Sequence, residues 1–212
     1  MALARDTLRI YERNAARFQA ERRTDLIEQP WLDRLLAALP EGAEILDLGC
    51  GTGTPIAAYL LANGCHVVGL DGAASMIGAA RRELPQADWR LSDMRGLELP
   101  ELFDAIIAWC SFFHLTQDEQ RDLLPRLARH LTPGGMLMLT VGPEAGEAIG
   151  AVGDDPVYHA SLSQEEYTAL LAAEGLEIVE FLCNDARCGD VTVLLAVKSG
   201  EGSQAWRRPK YE

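Results

Sequence analysis

Apolar residues recur along this chain in two rhythms. Over the first forty residues the rhythm is helical. Leu8, Tyr11, Ala15 and Phe18 fall three or four positions apart, and Leu32, Leu35, Leu36 and Leu39 sit inward on a second helix that begins near Pro30. Each set lines one face of a helix. From residue 45 onward, short apolar runs bounded by glycine and polar turns predict strands at 45–48, 65–70, 87–91, 103–109 and 136–141. Helical stretches at 73–84 and 117–130 lie between them. The run 103–109, FDAIIAW, is apolar almost throughout, which suits a strand covered on both faces. Strands and helices in alternation predict an α/β fold: a doubly wound, mostly parallel sheet with helices on both faces.

The later chain continues the sheet after a break. Residues 131–135, LTPGG, stop a helix and turn the chain. Residues 142–155, GPEAGEAIGAVGDD, are polar, acidic and rich in glycine, and read as a loop. Ser163 and Glu166 have capping-box spacing and open a helix that Gly175 ends. The apolar runs 177–183 and 191–197 follow with a short connection, as in an antiparallel hairpin at a sheet edge. They bring the expected sheet to seven strands.

Chemistry concentrates where the strands end. The first strand runs into EILDLGCGTGTP, residues 44–55. Gly49, Gly51 and Gly53 let the backbone take positive φ and approach a ligand. Thr54 is placed to cap the next helix and Pro55 to occupy its first turn. The N–H groups of that helix terminus open toward the turn. Asp47 stands two residues before the first glycine, where a carboxylate opposes a pyrophosphate and suits a ligand with a cationic end. The second strand ends at Asp71, twenty residues after Gly51. A carboxylate there is suited to a ribose diol, or to capping the following helix. Asp93 and Met94 follow the third strand. Ligands of open parallel sheets sit beyond the carboxyl ends of the strands, which assigns 109–114 to the site wall. His114 either faces the site as a base or binds a backbone carbonyl at a helix start.

These residues resemble the motifs of the class I S-adenosylmethionine-dependent methyltransferases of small-molecule type. That family shows an acidic residue and then GxGxG at the end of its first strand, matched here by Asp47, Gly49, Gly51 and Gly53. The resemblance spans 11–198 and implies a Rossmann-like fold with S-adenosylmethionine as cofactor. It implies that Asp47 holds the cofactor amino group, Asp71 its ribose, and Asp93 with Met94 its adenine. Gly72 and Met76 become neighbours of the adenosine, and Trp109 and Ser111 lie beneath the methionine portion. Tyr11, on a helix before the glycine turn, reaches the cofactor or the substrate. Phe18, Phe113 and Tyr158 are implied substrate contacts, against a plain packing alternative for both Tyr11 and Phe18. His114 and His159 are the candidate bases. The implied reaction is in-line transfer of a methyl group to a small molecule, achieved mainly by positioning.

Two other classes fit part of the pattern. One is an NAD(P)-binding oxidoreductase, whose fingerprint GxGxxG places its third glycine one position later. The other is a module that keeps the fold and cofactor without catalysis. Composition narrows the field further. A chain of 212 residues suffices for one α/β domain over 1–198, with a helical cap at about 1–40 and a loose tail at 199–212. A net charge of −13 opposes nucleic acid as a partner. Between Arg5 and Arg23, six Arg face three acids, a local basic surplus that reads as a solvated face. Five Cys without paired spacing, no signal peptide and no membrane-length apolar run point to a reducing cytoplasm. Cys and His do not cluster at zinc spacing, so no metal is expected.

Overall fold

The computed structural model describes residues 3–21 and 25–200, without the side chains of residues 16, 18, 19 and 21. A seven-stranded sheet forms its centre. The strands are β1 Glu44–Leu48, β2 His66–Asp71, β3 Asp88–Leu91, β4 Phe103–Ala108, β5 Leu131–Val141, β8 Leu176–Asp185 and β9 Val191–Lys198, in the order β3-β2-β1-β4-β5-β9-β8. β1 pairs in parallel with β2 and β4, and β9 runs antiparallel to both β5 and β8. The expected doubly wound sheet with a reversed strand near its edge is therefore the observed one. Strand order switches on either side of β1, and this places a crevice beyond the tips of β1 and β4.

Alternation along each strand divides the core between the two faces. Leu46 and Leu48 of β1 pack with Leu123, Leu127 and Tyr167 of α5 Gln117–Arg129 and α6 Gln164–Ala173. Ile45 points the other way, into a cluster with Leu32 and Leu35 of α2 Gln29–Leu36, Leu60 of α3 Ile56–Ala62 and Ile77 of α4 Ala74–Glu83. Leu32, Leu35, Ile45 and Leu46 have no exposed surface. Truncating one such leucine to alanine costs about 2–5 kcal/mol. The first helix, α1 Thr7–Glu21, lies apart from these layers, against α4 and the segment that follows β5.

Three local expectations are corrected. Residues 142–155 are largely a hairpin rather than a loop: β6 Gly146–Val152 pairs antiparallel with β7 Asp155–Ser161 outside the main sheet. Its fixed position comes from tertiary contacts. Gln120 of α5 donates to the Ala160 carbonyl at 2.8 Å, and Ser161 Oγ meets Tyr167 Oη at 3.2 Å. Thr54 does not cap α3. Pro55 occupies the N-cap position, and no side chain accepts from the first turn. The turn at 131–135 lies within β5, where pairing with β4 steps from Phe103–Leu131 to Ala105–Met136 and residues 132–135 bulge out. Among the described residues, no helix is long and apolar enough to cross a membrane.

Candidate active site

A cavity of about 370 Å³ opens at the carboxyl ends of β1, β2, β3 and β4. Its size lies in the range of small-molecule sites. Asp47, Gly49, Gly51, Asp71, Gly72, Met76, Asp93, Met94, Trp109, Ser111, His114 and Tyr11 all line it.

The glycine turn after β1 is held from the neighbouring strand. The N–H groups of Gly49 and Cys50 donate to the Leu70 carbonyl at 2.7 and 3.1 Å. Gly51 N–H donates to the Asp71 carboxylate at 2.9 Å, and Gly53 N–H to the Cys50 carbonyl at 3.0 Å. Four N–H groups that a phosphate-binding turn would direct at its ligand are thus spent inside the protein. Gly49 has φ +76°, and a Cβ there would stand 2.4 Å from Ser111 Cβ. Ser111 Oγ in turn donates to the Leu48 carbonyl at 2.6 Å, tying the tips of β4 and β1 together. Gly53 lies off the cavity wall: its missing side chain makes room for the Trp89 ring, which would be 2.5 Å from a Cβ.

Three carboxylates face the cavity from three successive strand ends. Asp47 is buried in β1. Asp71 accepts from Gly51 and also from Ala73 N–H at 2.8 Å. It therefore helps start α4 as well as lining the site, although Ala73 is the N-cap. Asp93 caps a short 3-10 turn at Met94–Gly96 and pairs with Arg95 at 3.0 Å. Arg95 also reaches Glu119 at 2.7 Å and the Ala4 carbonyl at 3.2 Å. Desolvation pulls the guanidinium pKa down, but the Glu119 and Asp93 carboxylates hold it above its ordinary value. The sequence carries one signal for Arg95, the capping-box spacing of Thr116 and Glu119, which fixes Glu119 beside it.

The opposite wall comes from α1 and the turn Phe112–His114. Leu8 fills the space over Gly72, where a Cβ would stand 2.6 Å from Leu8 Cδ2. Tyr11 Oη lies 2.9 Å from His114 Nε2. His114 Nδ1 lies 3.1 Å from the Tyr158 carbonyl oxygen, so the histidine both faces the cavity and binds a backbone carbonyl. Burial pushes its pKa down to about 4. His159 and Phe113 sit behind it in edge and tilted ring contacts of 4.6–4.9 Å, off the cavity wall. Burial lowers the His159 pKa as well. The Tyr158 side chain turns away, buried with Ala4 and Ala160. Burial, with the Glu147 carboxylate nearby, pushes its phenol up to about 12. Neighbours on a strand point to opposite faces, so Tyr158 and His159 do not enter one pocket together. Phe18 belongs to α1, and its side chain lies outside the described residues.

The basic surplus of α1 has a partner. Arg13 and Asn14 bind Asp155, and Arg17 binds Asp154 at 2.9 Å. These contacts join the helix that carries Tyr11 to the turn of the β6–β7 hairpin.

Comparison with known proteins agrees with this layout. A family model described as a methyltransferase domain matches residues 45–135. The trans-aconitate 2-methyltransferase of Azoarcus sp. is 39% identical over 110 residues, covering 50% of this chain and 42% of that protein. A dTDP-4-amino-2,3,4,6-tetradeoxy-D-glucose N,N-dimethyltransferase of Saccharopolyspora spinosa is 34% identical over 103 residues, 48% of this chain and 41% of that one. The chain spans about half the length of these curated relatives. Among solved structures, an amino pentose methyltransferase from Micromonospora echinaspora with S-adenosylmethionine bound aligns with a TM-score of 0.68. It is 24% identical, over 88% of this chain and 96% of that one. The magnesium protoporphyrin IX methyltransferase of Synechocystis aligns at 0.69 with 17% identity, over 92% and 97%. Both share the fold.

Proposed function

We propose that the chain is a class I S-adenosylmethionine-dependent methyltransferase, like the family model and relatives it resembles, and that it transfers a methyl group from S-adenosylmethionine to a small-molecule acceptor. One observation carries this reading. The glycine turn has closed its N–H groups on Leu70 and Asp71, while Asp47, Asp71 and Asp93 turn carboxylates toward the same cavity. Such a wall repels a pyrophosphate and suits a ligand with cationic and diol groups. It supports S-adenosylmethionine over a dinucleotide.

The residues fit that cofactor in chemistry. Asp47 would meet its ammonium group and Asp71 its ribose diol, since a carboxylate that accepts two backbone N–H groups keeps further lone pairs. Asp93 and Met94 would flank the adenine, with Met76 and Gly72 against the adenosine. Trp109, Ser111 and Tyr11 would line the methionine side. The cofactor, when bound, supplies a methyl group already activated by the sulfonium charge. The protein's part is then to orient the acceptor and exclude water, and α1 with its polar ties to the hairpin closes that side of the cavity.

The acceptor is a small molecule, as it is by name for the trans-aconitate and amino-sugar relatives. A chain of net charge −13 is poorly suited to a phosphate backbone. Calorimetric titration with S-adenosylhomocysteine tests the assignment. Asp71→Ala should weaken binding well beyond any change in His159→Ala, and equal affinities in the two variants would remove Asp71 from the cofactor site.

A further inference from the structure

The hydrogen-bond chain through His114 has a definite polarity. Its Nδ1 lies 3.1 Å from the Tyr158 carbonyl oxygen, and its Nε2 lies 2.9 Å from Tyr11 Oη. A carbonyl oxygen only accepts, so Nδ1 carries the hydrogen. Burial keeps the imidazole neutral near pH 7, which leaves Nε2 a bare lone pair. Nε2 therefore accepts, and the Tyr11 hydroxyl donates to it. With its one hydrogen spent, Tyr11 Oη has only accepting capacity for other partners. Tyr11 and His114 both line the cavity.

We propose that the Tyr158–His114–Tyr11 chain makes the Tyr11 phenol an obligate hydrogen-bond acceptor on the cavity wall, and so selects an amine as the methyl acceptor over a carboxylate. An amine brings N–H groups to this oxygen. A carboxylate brings only lone pairs and meets an oxygen with no hydrogen to give. The field of the wall acts in the same direction. Asp25 and Glu28 line the cavity beside the three carboxylates assigned to the cofactor, and among the described residues Arg95 is the one lining cation. Its guanidinium is already bonded to Asp93 and Glu119. An ammonium is drawn into such a site, and a polycarboxylate is opposed by it. The named relatives divide on this point between trans-aconitate and amino sugars, and it is the amino group of the second kind, not its dTDP portion, that the Tyr11 oxygen suits. The ammonium first gives one proton to water, and the free amine nitrogen then forms its N–C bond as the S–C bond breaks. It takes over the positive charge and then releases its surplus proton to water. Tyr11 and His114 are positioning residues in this account.

The inference rests on the methyl-transfer reading and narrows it, and its first test needs no cofactor. In protein labelled with ¹⁵N-histidine, His114 is identified by the signals missing from His114→Gln. The expected state is the neutral Nδ1–H tautomer, with an Nε2 resonance that moves in Tyr11→Phe. An Nε2–H tautomer would overturn the proposal. The second test adds ethylamine hydrochloride or sodium acetate, at matched ionic strength, to protein saturated with S-adenosylhomocysteine. Ethylamine should shift the Nε2 resonance saturably, and Tyr11→Phe should abolish that shift. A saturable response to acetate, or a response to neither probe, counts against the proposal. A protein that does not bind S-adenosylhomocysteine would fail the methyl-transfer reading instead, with the tautomer still measured.

Discussion

The Asp71 carboxylate accepts the backbone N–H of Gly51 at 2.9 Å, so the tip of β2 sets the shape of the turn that leaves β1. Its other oxygen accepts from Ala73 at 2.8 Å. One side chain thereby serves the turn, the start of α4 and the cavity wall. Asp71→Ala should lower stability by about 1–3 kcal/mol, because two N–H groups lose their acceptor. It should weaken S-adenosylhomocysteine binding roughly tenfold or more, about 1.4 kcal/mol per decade. Urea unfolding reads the first effect and calorimetry the second. His159→Ala, off the cavity wall, should leave that affinity nearly unchanged.

Two glycines with similar backbone angles should respond differently to alanine. Gly49 and Gly64 both have positive φ, +76° and +83°. A Cβ on Gly49 would stand 2.4 Å from Ser111 Cβ, whereas one on Gly64 meets nothing within 4 Å. Gly64→Ala should cost about 1 kcal/mol from backbone conformation alone. Gly49→Ala should cost more than that and also impair ligand binding, because Ser111 must leave Leu48. Paired urea titrations of the two variants give the comparison.

Much of this was legible in the sequence, for identifiable reasons. β1, β2 and β4 are buried on both faces, so their apolar runs carry the signal without reference to partners. The acids at strand tips were readable because a turn chemistry fixes their spacing from the glycines. The β6–β7 hairpin was not readable. Most of β6 is exposed, with burial rising only at Gly150 and Val152. Its place depends on Gln120, Tyr167 and the arginines of α1, all distant in sequence. The direction of Tyr158 was hidden for the same cause, since strand register decides which neighbour faces inward. Trp31 of α2 is buried and donates to Asp185 at 2.9 Å, across 154 residues of sequence that no local pattern connects.

Acid should destabilise the protein through His114. Burial lowers its folded pKa from 6.5 to about 4, so the unfolded chain binds the proton more readily. The contribution is therefore full above pH 6.5 and is lost as pH falls toward 4. The groups facing this ring are Tyr11 from α1, Tyr158 and His159 from β7, and Arg95 beyond β3. His159 is lowered too and adds the same sign. Stability measured by urea between pH 6.5 and 5 should fall by up to about 1.4 kcal/mol per unit for this one group. His114→Gln should flatten that slope.

The ties from α1 to the hairpin should be local and sensitive to salt. Arg13 and Arg17 are about half exposed, at 51% and 46% of their side-chain surface. Exposed pairs of this kind add little to global stability. Asp155→Asn should therefore speed amide hydrogen exchange in Gly146–Val152 and Asp155–Ser161 while leaving the melting temperature almost unchanged. High salt should have part of the same effect on the wild type. Exchange that stays slow in the variant would assign the hairpin's order to Gln120 and Tyr167 instead.

The central claim is the identity of the cofactor, and a melting experiment addresses it most directly. The protein is heated with S-adenosylmethionine, with S-adenosylhomocysteine and with NADH, each across a concentration series. A ligand that binds only the folded state raises the melting temperature with its concentration. The expected result is a rise with both sulfur ligands and none with NADH. A rise with NADH alone, or with none of the three, would contradict the account.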